Sequence, residues 1–133
     1  KNIGISKDFN IFELQAALIN KDVLKANRII RYFADNKKNN PMLVVLAQLF
    51  SFFSNLMMYH YLSDKSQAVV ASELKINQYF VKDYEKASKS FGPWKTMNII
   101  SWIRETDARG KGIESNNIDE VDLMKELIYK ILH

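Results

Sequence analysis

Residues Asn39–Ser63 read NNPMLVVLAQLFSFFSNLMMYHYLS and contain no Asp, Glu, Lys or Arg, in a chain of which 26% is charged. A solvated helix carries polar residues on its outer face, so this stretch is largely out of water. It is a membrane span, the central helix of a core, or a helix shared between a core and a partner surface. A span needs about 20 consecutive apolar residues, and Pro41–Leu62 approaches that length. Helical residues advance by about 100°, which puts Gln48, Ser51, Asn55 and Tyr59 on one narrow stripe. Amides and hydroxyls are costly against lipid and cheap against protein. Lys37 and Lys38 precede the stretch, but no matching basic cluster follows it to set a membrane orientation. The reading is a core helix and no membrane, with Asn40 as N-cap and Pro41 at the first helical position.

The composition around this helix narrows the class. With 133 residues the chain suits one domain, and 47% hydrophobic content is ordinary for a globular fold. It has no cysteine, which excludes disulfides, thiolate catalysis and cysteine-ligated zinc and is consistent with a cytoplasmic protein. A net charge of +4 permits nucleic-acid contact without marking a dedicated binder. No signal-peptide pattern opens the chain. It begins at Lys1 and not at Met, so it is expected to be a piece of a longer protein.

Four glycines and two prolines are the main breaks in a nearly continuous helical periodicity. Asn10 and Glu13 resemble a capping box, opening a helix through Ile19 with Phe12, Ala16 and Ile19 on its apolar face. Asn20-Lys21 break it, and Asp22 caps a second helix with Val23, Ala26, Ile30 and Phe33 inward and Lys21, Lys25 and Arg28 outward. After the long helix, Asp64 starts a short one through Leu74. Asn77 caps another to about Ser90, with Phe80, Tyr84, Ala87 and Phe91 as a buried stripe and Asp83–Lys86 and Glu85–Lys89 as surface pairs. Gly92-Pro93 begins a helix through about Ala108, Arg109–Asn116 is a loop, and Asn117 with Glu120 caps the last helix. Val121, Met124, Ile128 and Ile131 line its inner side. The result is all-α: a single compact bundle of about seven helices.

Catalytic chemistry finds no convergent residues. His60 sits between tyrosines in the apolar helix and reads as a hydrogen-bonded or half-exposed core histidine, and His133 is terminal. Neither has a neighbouring motif to position it as a base. Glu114, Asp119, Glu120 and Asp122 cluster at a helix start, where dipole complementation explains them more simply than a metal. Gly110-Lys111-Gly112 lacks the glycine spacing, the following Ser/Thr and the preceding strand of a phosphate loop. Asp107, near a helix C-terminus, is placed to pair with Arg109 or Lys111. No catalytic residue, metal, nucleotide or cofactor is expected on this chain.

Ala71–Val81, ASELKINQYFV, has the spacing of a helix-turn-helix. Ala71 permits close approach, and Ile76 and Val81 pack the corner. The second helix would offer Gln78, Lys82, Lys86 and Lys89 to DNA. Lys75 stands where such turns usually take Gly, and Asp83 and Glu85 on the same helix would repel phosphates. A DNA-binding regulator is the alternative function this stretch supports.

The whole order of elements supports a second reading. FELQAAL (Phe12–Leu18) is followed by KDVLKANRII (Lys21–Ile30), the long apolar helix, the helical pair within Val70–Ala87, the Asp107…Lys111 turn and LMKELIYKIL (Leu123–Leu132). In this order and spacing the chain resembles the C-terminal domain of the delta subunit of the bacterial DNA polymerase III clamp loader. The resemblance implies a helical collar domain, 9–133, that helps hold the loader subunits together. Residues 1–8 would be the end of a connection from an AAA+ lid domain. It further implies a cytoplasmic location, partnership with the other loader subunits, only indirect contact with DNA, and polymerase chemistry on another polypeptide. Within that reading Phe52, Phe53, Met57, Met58, Trp94 and Trp102 are candidate partner-interface residues, of types that interfaces favour. Self-association of the isolated chain is expected from exposed collar surface.

Overall fold

The computed structural model describes residues 9–112 and 119–133. Among them are seven α-helices: α1 (Ile11–Ile19), α2 (Val23–Asp35), α3 (Met42–Tyr61), α4 (Gln67–Leu74), α5 (Val81–Ser90), α6 (Pro93–Lys111) and α7 (Glu120–Leu132), with a 3₁₀ turn at Gln78–Phe80 before α5. The fold is all-α, as the periodicity predicts. The expected connection at 1–8 lies outside the described residues.

Helix α3 is the spine. Leu46, Leu49, Phe52, Phe53 and Leu56 are buried along it, while α6 packs its length and α1, α4 and α5 pack around the rest. It is long and apolar enough to cross a membrane by length and composition, yet these residues face other helices of the same chain. Helix α6 runs antiparallel to it. Gly110, near the end of α6, meets the start of α3, where an added Cβ would lie 2.5 Å from Met42 Cε. At the other end His60 reaches the carbonyl of Phe91. Helix α7 packs on α2 and α6, and α1 lies against both α2 and α5.

Local signals set most boundaries. Asn10 Oδ1 accepts from the Glu13 N–H at 3.0 Å, and Asp22 Oδ1 from the Lys25 N–H at 3.1 Å. Between them the chain turns through Lys21 at φ 54°. The Asp22 N–H donates to Ala17 O and the Lys21 N–H to Leu18 O, a paired closure of a helix C-terminus.

Several expectations shift. On α1 the expected Ile19 is buried, together with Leu14, Ala17 and Leu18, but Ala16 is exposed and Phe12 is 58% exposed, because α1 must meet α2 and α5 at once and Phe12 stacks instead on Phe80. On α2, Ile29 replaces Val23 inside. Pro41 itself takes the N-cap position of α3, and the Asn40 side chain donates back to Asn36 O. Asp64 accepts from the Ser66 N–H ahead of α4, which begins at Gln67. Helix α6 continues to Lys111, past the expected stop at Ala108. Asp119 caps α7 by accepting from the Val121 N–H; Asn117, the expected cap, lies outside the described residues.

Candidate functional site

The α4–α5 corner has helix-turn-helix form. Lys75 closes α4 in the left-handed region, φ 57° and ψ 48°, which explains why glycine is usual there. The Ala71 carbonyl accepts from the Ile76 N–H at 3.0 Å, and Asn77 Oδ1 from the Tyr79 N–H at 2.8 Å. Val81, Tyr84 and Ala87 turn inward. Gln78, Lys82, Lys86 and Lys89, the candidate DNA contacts, are all exposed. The surface pairs expected between Asp83 and Lys86 and between Glu85 and Lys89 do not appear among the ion pairs of the described residues.

A groove of about 510 Å³ runs between α1, α3 and this corner. The polar stripe of α3 faces it through Gln48, Ser51 and Asn55, opposite Gln15 and Asn77. Asn55 Nδ2 lies 3.4 Å from the Tyr84 hydroxyl. Burial raises the Tyr84 phenol above its usual range, the Asn55 hydrogen bond offsets part of this, and Asp83 adds to the rise. A second groove, between α1 and α5, is lined by Phe12, Gln15, Asn20, Tyr79, Asp83 and Lys86. Phe12 stacks on Phe80 with centroids 5.8 Å apart, Tyr79 meets Phe80 edge-on, and Lys82 Nζ lies 4.1 Å from the Tyr79 centroid.

The other potentially reactive groups have structural partners. His60 is half-buried, and its Nε2 lies 2.8 Å from Phe91 O. A carbonyl only accepts, so this nitrogen carries the proton and donates. Thr96 Oγ1 donates to Gly92 O at 2.8 Å, so the α5–α6 junction is held by side chains. Asp107 pairs with Lys111 at 3.0 Å. Arg109 instead takes Glu126, whose carboxyl it holds below the usual range. Glu120 approaches Lys37 at 3.7 Å, and Glu114 lies outside the described residues. Lys95 donates to Lys130 O; burial, then the nearby Lys21, depress its pKa.

Of the six interface candidates, Phe52 and Phe53 lie inside the core, Met57 and Trp102 are half-buried, and Met58 and Trp94 are exposed, Trp94 at 75%. Trp102 receives Lys95 over its ring. The sequence reading missed Leu43, Val44 and Met97, each about half exposed. Leu43, Ala47 and Phe50 line a shallow groove with Arg104 and Asp107, and helical spacing puts Met97 and Ile100 on the same side of α6. The apolar surface is thus a band along the α3–α6 pair. Phe12 and Tyr79 were also missed as surface residues; their signal is an aromatic on an otherwise polar helical face.

These features define a class: a non-repeating helical domain whose polar groups serve helix ends and corners and whose longest helix pair shows an apolar band outside. The profile of the family described as DNA polymerase III delta subunit, C-terminal domain, matches residues 8–131. The chain belongs to that family. No curated protein and no solved structure matches it.

Proposed function

We propose that this domain, residues 9–133, is a scaffold of the clamp loader, the assembly that places the sliding clamp on DNA in the bacterial cytoplasm. It joins the other loader subunits through helix–helix contacts and performs no chemistry of its own. The observation that carries this reading is the near-complete family match, and the apolar band on α3 and α6 supports it. Leu43, Met97 and Trp94 expose large apolar surface there, beside Arg104, which lies over the Phe50 ring, and Asp107. Interfaces favour such residues and deplete Lys and Glu at their centres.

The test is co-purification of the chain with the remaining loader subunits, with and without high salt. Association that survives about 1 M salt supports apolar assembly, because screening leaves burial intact. Leu43→Asp and Met97→Asp should each abolish it while leaving helical content unchanged. The DNA-regulator reading is favoured by the α4–α5 geometry alone. Sequence-dependent duplex binding at physiological salt, without subunit association, would overturn the scaffold reading.

A further inference from the structure

The charges of this domain are sorted between two sides. Among the described residues the ion pairs are Lys37–Glu120, Arg109–Glu126, Lys111–Asp107 and those of Lys130 with Glu105 and Glu126. All of them involve α6, α7 or the residues just after α2. The cations on the body of α2 and on α5 take no part in them. Arg28 and Arg31 are exposed along one ridge of α2, with Lys25 half-buried beside it, and Lys21 is exposed in the turn that precedes the helix. Lys82, Lys86 and Lys89 are exposed along α5. Helix α1 lies between these two helices, and Lys21, over the Phe91 ring at 5.6 Å, joins the ridges at one end. The nearby carboxylates are four. Glu13 stands on the first turn of α1, Asp22 caps α2, Asp35 follows Arg28 and Arg31 at the end of the same helical face, and Asp83 lies in the α1–α5 groove. Glu85 lines a different pocket with Tyr59 and Lys65.

Between the ridges lies the α1–α5 groove, and its walls are aromatic and amide. Phe12 is 58% exposed and Tyr79 64%, and Gln15 and Asn20 stand beside them. Cations on either side of exposed rings suit a flexible polyanion with flat apolar groups, in which phosphates meet the ridges and bases meet the rings. A B-form duplex would keep its bases stacked away from Phe12 and Tyr79. An acidic peptide would satisfy the cations and leave the rings unused. We propose that the α1–α5 groove, flanked by the basic ridges of α2 and α5, binds single-stranded nucleic acid. Asp83, in the groove and off the Lys82, Lys86 and Lys89 ridge, is placed to accept from a base N–H, such as the N3–H of thymine or uracil, and not to face phosphate.

The test is fluorescence anisotropy of the 133-residue chain with oligothymidylate or oligouridylate of about 20 nucleotides, longer than a typical site of ~4–16. With about four phosphate contacts, log K should fall against log salt with a slope near −3, at about −0.7 per contact. Arg28→Glu should weaken binding and flatten the slope by about one contact. Arg104→Glu, the same charge change on the α3–α6 side, should leave the slope unaltered. Tyr79→Ala should weaken binding about tenfold or more by loss of stacking; Phe12→Ala should act likewise if Tyr79→Ala lowers helical content. Equal or tighter binding of a duplex of the same length would overturn the proposal. So would binding insensitive to both ring substitutions and displaced equally by polyglutamate, which would mark an acidic protein surface. Absence of binding at low salt would overturn it as well.

Discussion

Replacing Lys75 by glycine should stabilise this domain. Lys75 sits at φ 57° and ψ 48°, where a Cβ crowds the backbone at a cost of ~1–2 kcal/mol. Glycine removes that cost but adds ~0.4–1 kcal/mol of unfolded-chain entropy. Among the described residues the side chain makes no hydrogen bond or ion pair that would be lost. The net gain is therefore about 0.5–1 kcal/mol, which for a domain of this size is a Tm rise of about 2–4 °C. The measurement is urea and thermal unfolding followed by circular dichroism, with Lys75→Ala as control. Alanine keeps the Cβ and should be nearly neutral. Lys21→Gly, at φ 54°, should give a smaller gain, because it also loses the Lys21 contact over the Phe91 ring, and the two effects should be roughly additive because the sites share no partner. Should Lys75→Gly prove no more stable than Lys75→Ala, the attribution of strain to the Cβ is wrong.

Phe53→Ala should cost about 3–5 kcal/mol, because Phe53 is fully buried and meets Phe52 and Phe91 edge-on; a loss under about 1 kcal/mol in urea unfolding would contradict the placement of α3 as the spine. Asn10→Ala should cost about 1 kcal/mol through loss of the Glu13 N–H acceptor, with Asn10→Asp restoring most of it. Tyr84 should ionise above the ordinary tyrosine range in an ultraviolet titration, because its phenol is buried. Its raised folded-state pKa leaves stability unchanged below about pH 10 and lowers it as pH climbs from there toward the folded value, because only the unfolded chain then releases the proton.

Much of the fold was legible because its signals are local. Asn10 and Asp22 announce helix starts through side chains that reach only three residues ahead. The charge gap of Asn39–Ser63 announces the spine by composition alone. The α1 face was misread because Leu14 and Phe12 are both apolar at helical spacing, and the choice between them is made by α2 and α5, which are distant in sequence. The end of α6 was misread for a related reason. Gly110 and Gly112 resemble a loop, but Gly110 is the close approach that lets α6 lie over Met42. The interface candidates show the same limit. Phe53 and Trp94 are equally suitable by type, and only packing assigns one to the interior and the other to the surface. Exposed Lys82, Lys86 and Lys89 follow from helical phase, whereas the basic ridge that α2 sets alongside them depends on tertiary contact through α1.

The α3–α6 pair is latched at both extremities. Met42 beds against Gly110 at one, and His60 grips the Phe91 carbonyl at the other. Sliding either helix by a turn would break both latches together, so the two behave as one stiff lever. A force arriving at the band they share would swing the whole domain as a body, and any motion passed through it would emerge as rotation at its edges.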